Sequence, residues 1–349
     1  MPYRFKIDEP VEKGFRRIAR EQLDIAFTEL APPAPNILPT GVHECRKALK
    51  RMRALVRLAT PALGQRKARR RARALSEIAR LLSARRDQAV MLETLAKLTS
   101  DSNSDAAATL APLRAHLIGV VGEEPKPLDA DCAAKARLML LREAKKFAHA
   151  RFRKRGFAAL EGGLEKSYRR ARNAMKNAYG EPSDESFHTM RKAVQWHWRQ
   201  MSLLGRAWPD EFAVRVTAAR ELSQMLGDDH DLAMLIDVAT RAEDISAEDK
   251  EAIVALCLHR QRALRNDAEP RAERLFAETP VAFTKRMAAY WRFGRTVDQG
   301  RNVLPVARAE AQKPQVPVKP EIQPAAEAAS TKPRLAAKAP VSAPSQRRA

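Results

Sequence analysis

The sequence predicts an all-α fold: two similar helical bundles related by an internal duplication, followed by a disordered C-terminal tail. Three observations carry that prediction. Ala, Leu and Arg dominate the 349 residues, aromatics make up 5% and glycines number 13, a balance that favours helix over sheet. Apolar residues recur at helical spacing along most of the chain. The chain also resembles itself at nearly one spacing, with a one-residue slip between the two matches. HECRKALK from His43 recurs as HTMRKAVQ from His188, and LLSARRDQAVML from Leu81 recurs as MLGDDHDLAMLI from Met225, pairing Asp87 with Asp231.

Helices are expected near 10–30, 41–59, 66–98, 104–121 and 131–154, then 157–179, 184–205, 210–240, 247–268 and 281–293. Pro32, Pro33 and Pro35, the stretch Pro61–Gly64, Pro125 and Pro127, Gly180–Pro182, Pro209 and Pro280 punctuate them. No segment reads as a strand. The organisation expected is residues 1–295 as the folded domain, with repeat one about 10–155 and repeat two about 156–295. Residues 296–349 form the tail. From Arg301 onward it holds nine Lys/Arg, three Glu and eight Pro without an aromatic, which cannot build a core.

The formal net charge is +22, so the expected partner is acidic: nucleic acid, an anionic surface or another phosphate polymer. The charge is concentrated. Residues 42–86 carry fifteen Lys/Arg against Glu44 and Glu77. In VHECRKALKRMRALVRLA, His43, Arg46, Lys47, Lys50, Arg53 and Arg57 fall within roughly 120° of a helix, opposite Cys45, Leu49, Met52, Leu55, Val56 and Ala59. Like charges at this spacing repel by a few tenths of a kcal/mol per pair, and only Glu44 relieves them. The bland alternative is a solvated helix face, but a stripe short of acids, and repeated, points to anion binding. Arg66, Arg73 and Arg80 share a second face, and Arg169, Arg172 and Lys176 a third, where pairing with acids such as Glu165 is the alternative.

Other chemistry is poorly represented. Cys45, Cys132 and Cys257 are odd in number and far apart, which suits neither a disulfide framework nor a zinc cluster. No Gly-rich phosphate cradle or recognisable catalytic constellation occurs. DDHD at 228–231 lacks a second cluster to complete a metal site, so no metal or cofactor is expected. Asp87 and Asp231 are read as carboxylates that orient an Arg. His43 and His188 either cap and pack or donate to an anion from a positive helix end. For Trp196 and Trp198, packing is favoured over base stacking for at least one. MPYRFKIDEPVEKGF has no apolar leader core and no run approaches eighteen apolar residues. A cytoplasmic protein without membrane contact is therefore expected.

The segments VHECRKALKRMRALVRL, LSARRD, FHTMRKAVQWHW and LGDDHDLAML together resemble a CHAD domain, the conserved-histidine α-helical domain, with the likeness spanning roughly residues 1–295. That resemblance implies two helical bundles around a basic groove that binds inorganic polyphosphate, and association with polyphosphate granules in bacteria. Carried over by position, it assigns His43, Arg46, Lys47, Lys50, Arg51, Arg53 and Arg57 from the first copy and His188, Arg191 and Lys192 from the second. Arg73, Arg80, Arg169 and Arg172 join them as further basic candidates. The second copy departs from the pattern: Gln195, Trp198 and Ser202 stand where Lys50, Arg53 and Arg57 stand in the first, so it should contribute less charge. The CYTH hydrolase domain that precedes CHAD in some relatives is not expected here, because the start is short and EPVEKGF does not alternate as E-x-E-x-K. The reading is thus a non-enzymatic polyphosphate binder. Nonspecific nucleic-acid binding is the alternative, and a phosphohydrolase a more distant one. Oligomeric state stays open.

Overall fold

The computed structural model describes residues 3–31, 39–82, 86–100, 105–121 and 128–303. In chain order the helices are α1 (Val11–Glu29), α2 (Pro39–Leu58), α3 (Thr60–Leu63), α4 (Gln65–Leu81), α5 (Arg86–Ser100), α6 (Asp105–Val121), α7 (Ala130–Ala148), α8 (Ala158–Gly180), α9 (Asp184–Leu204), α10 (Pro209–Arg241), α11 (Ala247–Leu275) and α12 (Pro280–Val303). No strand occurs among the described residues. The fold is all-α.

Local chemistry sets several of the boundaries. Asp129 accepts a hydrogen bond from the Cys132 amide at the start of α7, and Ser246 accepts one from the Asp249 amide at the start of α11. Ser183 and Ser186 exchange bonds in a capping box ahead of α9, whose first turn adds Asp184 and Glu185. Pro209 opens α10, where a missing amide proton costs nothing. Gly64, at φ 85°, supplies the left-handed residue that separates α3 from α4.

Two apolar cores result, and each draws on both halves of the chain. The larger joins Phe15, Ile18 and Leu23 of α1 with Leu49, Met52 and Leu55 of α2, Phe147 of α7, Tyr168 of α8, Met190 and Val194 of α9, and Phe283 of α12. Tyr168 stacks on Phe283 at 4.1 Å between ring centroids and donates its hydroxyl to the Leu275 carbonyl. The smaller core packs Met91, Leu95 and Leu98 of α5 and Leu110, Leu113 and Leu117 of α6 against Leu232, Leu235 and Ala239 of α10 and Ile253 and Cys257 of α11. Residues Met1–Leu304 accordingly cluster as one unit. Neither half could bury its own faces alone. Within the halves, α1 packs on α2 and α7, while α8 packs on α9 and α12.

Several boundaries differ from expectation. The helix expected over 66–98 is two helices, α4 and α5, because α5 swings its apolar face onto α10 to form the smaller core. The helix expected over 131–154 ends at Ala148, and the chain that follows lies against α1 through the Arg16 bond to the Ala150 carbonyl. α11 runs through Pro270 to Leu275, since Ala268, Ala272 and Leu275 are buried in the larger core. Where a tail is expected from 296, α12 continues to Val303. The rest of the tail lies outside the described residues. All three cysteines are free, and burial pushes the Cys45 thiol up to about 12 and that of Cys257 to about 11. No described helix is long and apolar enough to cross a membrane.

Candidate anion-binding cleft

Where α2, α5, α9 and α10 meet, a cleft of about 320 Å³ opens. Arg46 and Lys50 line it from α2, and His188, Arg191, Lys192 and Gln195 from α9. His230, Asp231 and Met234 come from α10 and Val90 and Met91 from α5. The first and second copies of the H-x-x-R-K segment thus face one another across a shared space. Both histidines sit at the fifth residue of their helix, and the Arg three residues on, Arg46 in α2 and Arg191 in α9, lines the cleft from each side.

The cleft has defined internal geometry. The Arg46 guanidinium donates to the Ala79 carbonyl at 3.1 Å, tying α2 to the end of α4. Arg191 approaches Asp231 at 4.0 Å, an ion-pair separation. His188 stacks on His230 with centroids 4.1 Å apart and planes 28° from parallel. Burial, reinforced by Lys192 and Arg191, lowers His188 below its ordinary value. Burial and then His188, Arg191 and Lys192 bring His230 to about 4. The cap of α9 is Ser183, so His188 is not a capping residue. The neighbouring Asp229 is buried and bonded to Arg265 at 2.6 Å, and Arg265 also holds Asp184. That part of DDHD is structural. Among the described residues, no group of three or more His, Cys, Asp or Glu is placed to hold a metal ion.

The cationic lining continues along α2. From Arg46 to Arg57 is eleven residues, roughly 16 Å of helix. The Arg57 guanidinium lies 3.5 Å from the centroid of the Trp196 ring, and that of Arg170 from α8 lies 5.0 Å from it. Burial, then Arg170 and Arg53, lowers Arg57 to about 10. Buried Arg199 stands 4.1 Å over Trp198 and is lowered to about 10 by burial, with Arg51, Arg53 and Arg220 adding to the effect. Burial alone lowers Arg53. All three remain charged at neutral pH. Electron-rich indole faces offset part of the crowding.

The structure therefore brings together Arg46, Lys50, His188, Arg191 and Lys192 in the cleft, with Arg53 and Arg57 in the adjoining row. It places others apart. Lys47 pairs with Glu44 at 3.0 Å on the outer side of α2. Arg51 donates to Gln22 of α1 and lies over the Tyr3 ring. Arg73 is exposed and lies 3.6 Å from Glu77. Arg169 pairs with Glu165, and Arg172 donates to the Phe276 carbonyl at the end of α11. His43 and Arg80 are exposed, on α2 and on the last turn of α4. The side chain of Asp87 lies outside the described residues. Sequence reasoning missed four groups: Arg170, one residue from a named candidate; Arg199, whose burial no pattern announces; Trp196 as a cation partner; and His230, adjacent to Asp231 but unrelated to His188 by any periodicity.

Residues 18–240 match the CHAD domain, and the chain belongs to that family. Comparison with solved structures finds a likeness to PptA from Streptomyces chartreusis, at 14% identity over 76% of this chain and 98% of that one, with a TM-score of 0.49. Comparison with curated proteins gives no match.

Proposed function

We propose that this CHAD protein binds inorganic polyphosphate, with the chain entering the cleft at Arg46, Lys50, Arg191 and Lys192 and running along the row of Arg53 and Arg57. The observation that carries the reading is the convergence of both basic segments on one cleft whose lining, among the described residues, holds one carboxylate, Asp231, 4.0 Å from Arg191. Planar Arg groups meet phosphate oxygens in pairs, and Lys adds mobile point charge. A linear polymer suits the extended geometry better than a compact nucleotide, because several phosphates must be in place to engage both the cleft and the α2 row. The role is that of a binder without catalysis, at polyphosphate granules in the cytoplasm.

Calorimetric titration with long-chain polyphosphate, short DNA duplex and ATP at physiological ionic strength tests this. Polyphosphate should bind more tightly than ATP by orders of magnitude, with affinity falling steeply as salt rises. Equal affinity for ATP and polyphosphate, or release of phosphate on incubation with magnesium, would contradict it.

A further inference from the structure

Outside the cleft the most concentrated charge lies on the outer face of α4. Between Gln65 and Ala74 the exposed residues are Gln65 itself and the cations Arg66, Lys67, Arg69, Arg70 and Arg73. Of these, Arg73 alone has a carboxylate within 4 Å among the described residues, its neighbour Glu77. α7 packs alongside α4, and two contacts fix the register. The Arg153 amide donates to the Ala62 carbonyl at 3.1 Å, and Arg71 bonds Glu143 at 2.7 Å. Ascending 62 to 71 thus descends 153 to 143, so the helices are antiparallel. Exposed Lys145 and Arg151 fall between the two contacts, beside Arg66–Arg70. Glu143 is the only acid in the bracketed spans. It is buried and held by both Arg71 and Lys146, so it adds no negative charge to the surface.

From this placement we propose that the α4–α7 face is a second, separate anion surface that takes the phosphate backbone of duplex nucleic acid. Packed helix axes lie about 8–10 Å apart, so Arg66–Arg70 of α4 make one row, and Lys145 of α7 with Arg151 just beyond it makes a second on the neighbouring element. A thin linear chain meets one row at a time, whereas a duplex presents phosphate walls on either side of grooves roughly 6 and 12 Å wide and meets both. The cleft of about 320 Å³ cannot admit such a ligand. The exposed part of α4 between Gln65 and Ala74 carries no aromatic or apolar side chain to stack on bases, so the contact proposed is charge against the phosphate backbone.

The inference does not depend on the polyphosphate reading, and one set of variants separates them. In the full chain, Arg66→Glu, Lys67→Glu, Arg69→Glu and Arg70→Glu are combined, leaving the Arg71–Glu143 pair intact, and circular dichroism checks the fold. Fluorescence anisotropy with a mixed-sequence DNA duplex should show at least ~30-fold weaker binding, and the slope of log affinity against log salt should shrink by about 3. A Lys50→Glu, Lys192→Glu variant should bind the same duplex as wild type does. Unchanged DNA affinity in the α4 variant would overturn the proposal, as when residues 304–349 carry the binding. So would equal loss in both variants, which would mean a shared site. Should DNA binding depend on α4 while polyphosphate binds nowhere, the ridge stands and the cleft's proposed ligand falls.

Discussion

The guanidinium of Arg57 rests 3.5 Å from the centre of the Trp196 ring, with Arg170 sharing the same indole at 5.0 Å. Three helices, α2, α8 and α9, thereby place like charges together around one aromatic side chain. Desolvated cation–π contacts are worth up to about 2 kcal/mol each. Trp196→Leu keeps an apolar side chain, though a smaller one, and removes the electron-rich face. It should lower stability by about 1–2 kcal/mol in denaturant melts and weaken polyphosphate binding several-fold. Wild-type values for both would show that the indole serves only as packing.

The His188–His230 stack gives a pH prediction with a definite sign. Both rings are held below the ordinary imidazole value by burial and by Arg191 and Lys192, and His230 titrates near 4; Glu185 and Asp184 oppose this weakly. Arg46 and Lys50 of α2 and Asp231 of α10 line the same cleft. Buried His197 is also held well below its ordinary value and acts in the same direction. Unfolded histidines take protons near 6.5, so the stabilisation is complete above that pH and is lost as pH falls towards 4. A polyanion in the cleft reverses the local field and makes protonation favourable. Thermal melts should show the free protein losing stability from pH 6.5 to 4, with saturating polyphosphate restoring more at pH 5 than at pH 7.5. His188→Gln with His230→Gln should reduce that difference, and an unchanged difference would remove the pair from the account.

Within DDHD the carboxylates have separable roles. Asp229 is buried against Arg265, which also bonds Asp184, while Asp228 accepts from Gln224 at the surface. Removing one partner of a buried pair costs about 3–5 kcal/mol. Asp229→Ala should lose an amount of that order in urea unfolding, and Asp228→Ala should stay within about 0.5 kcal/mol. Equal effects would mean Asp229 is not the anchor of Arg265.

Glycines inside two helices should respond with opposite signs. A methyl group on Gly163 of α8 would run into the Leu58 carbonyl at the end of α2, so Gly163→Ala should destabilise by about 2–3 kcal/mol. Nothing lies within 4 Å of a methyl on Gly119 in α6, and Gly119→Ala should stabilise by up to ~1 kcal/mol. Chemical denaturation reads both.

Much of this architecture was legible in the residue pattern, for physical reasons. The α2 stripe is amphipathic enough that its buried side, Cys45, Leu49, Met52, Leu55 and Val56, follows from a 3.6-residue period alone. The repeated H-x-x-R-K spacing marks four of the cleft residues, Arg46, His188, Arg191 and Lys192. What the pattern did not carry was tertiary. The break between α4 and α5 has no strong breaker residue, and arises because Met91, Leu95 and Leu98 are buried against α10. Arg51 sits only 80° beyond His43 on the helical wheel, yet α1 captures it through Gln22. Buried Arg199 is indistinguishable in sequence from a surface arginine, and only the packing of α9 shows that it faces Trp198. Charge periodicity finds a helix face; which neighbour covers that face is decided by the rest of the chain.

The most direct measurement is a matched-salt titration of long-chain polyphosphate into wild type and the Lys50→Glu, Lys192→Glu variant, which reverses one cation on each wall of the cleft without touching either apolar core. Affinity should drop by at least two orders of magnitude while helicity and melting temperature stay near wild type. Retained affinity in a folded variant would mean that polyphosphate does not bind between α2 and α9.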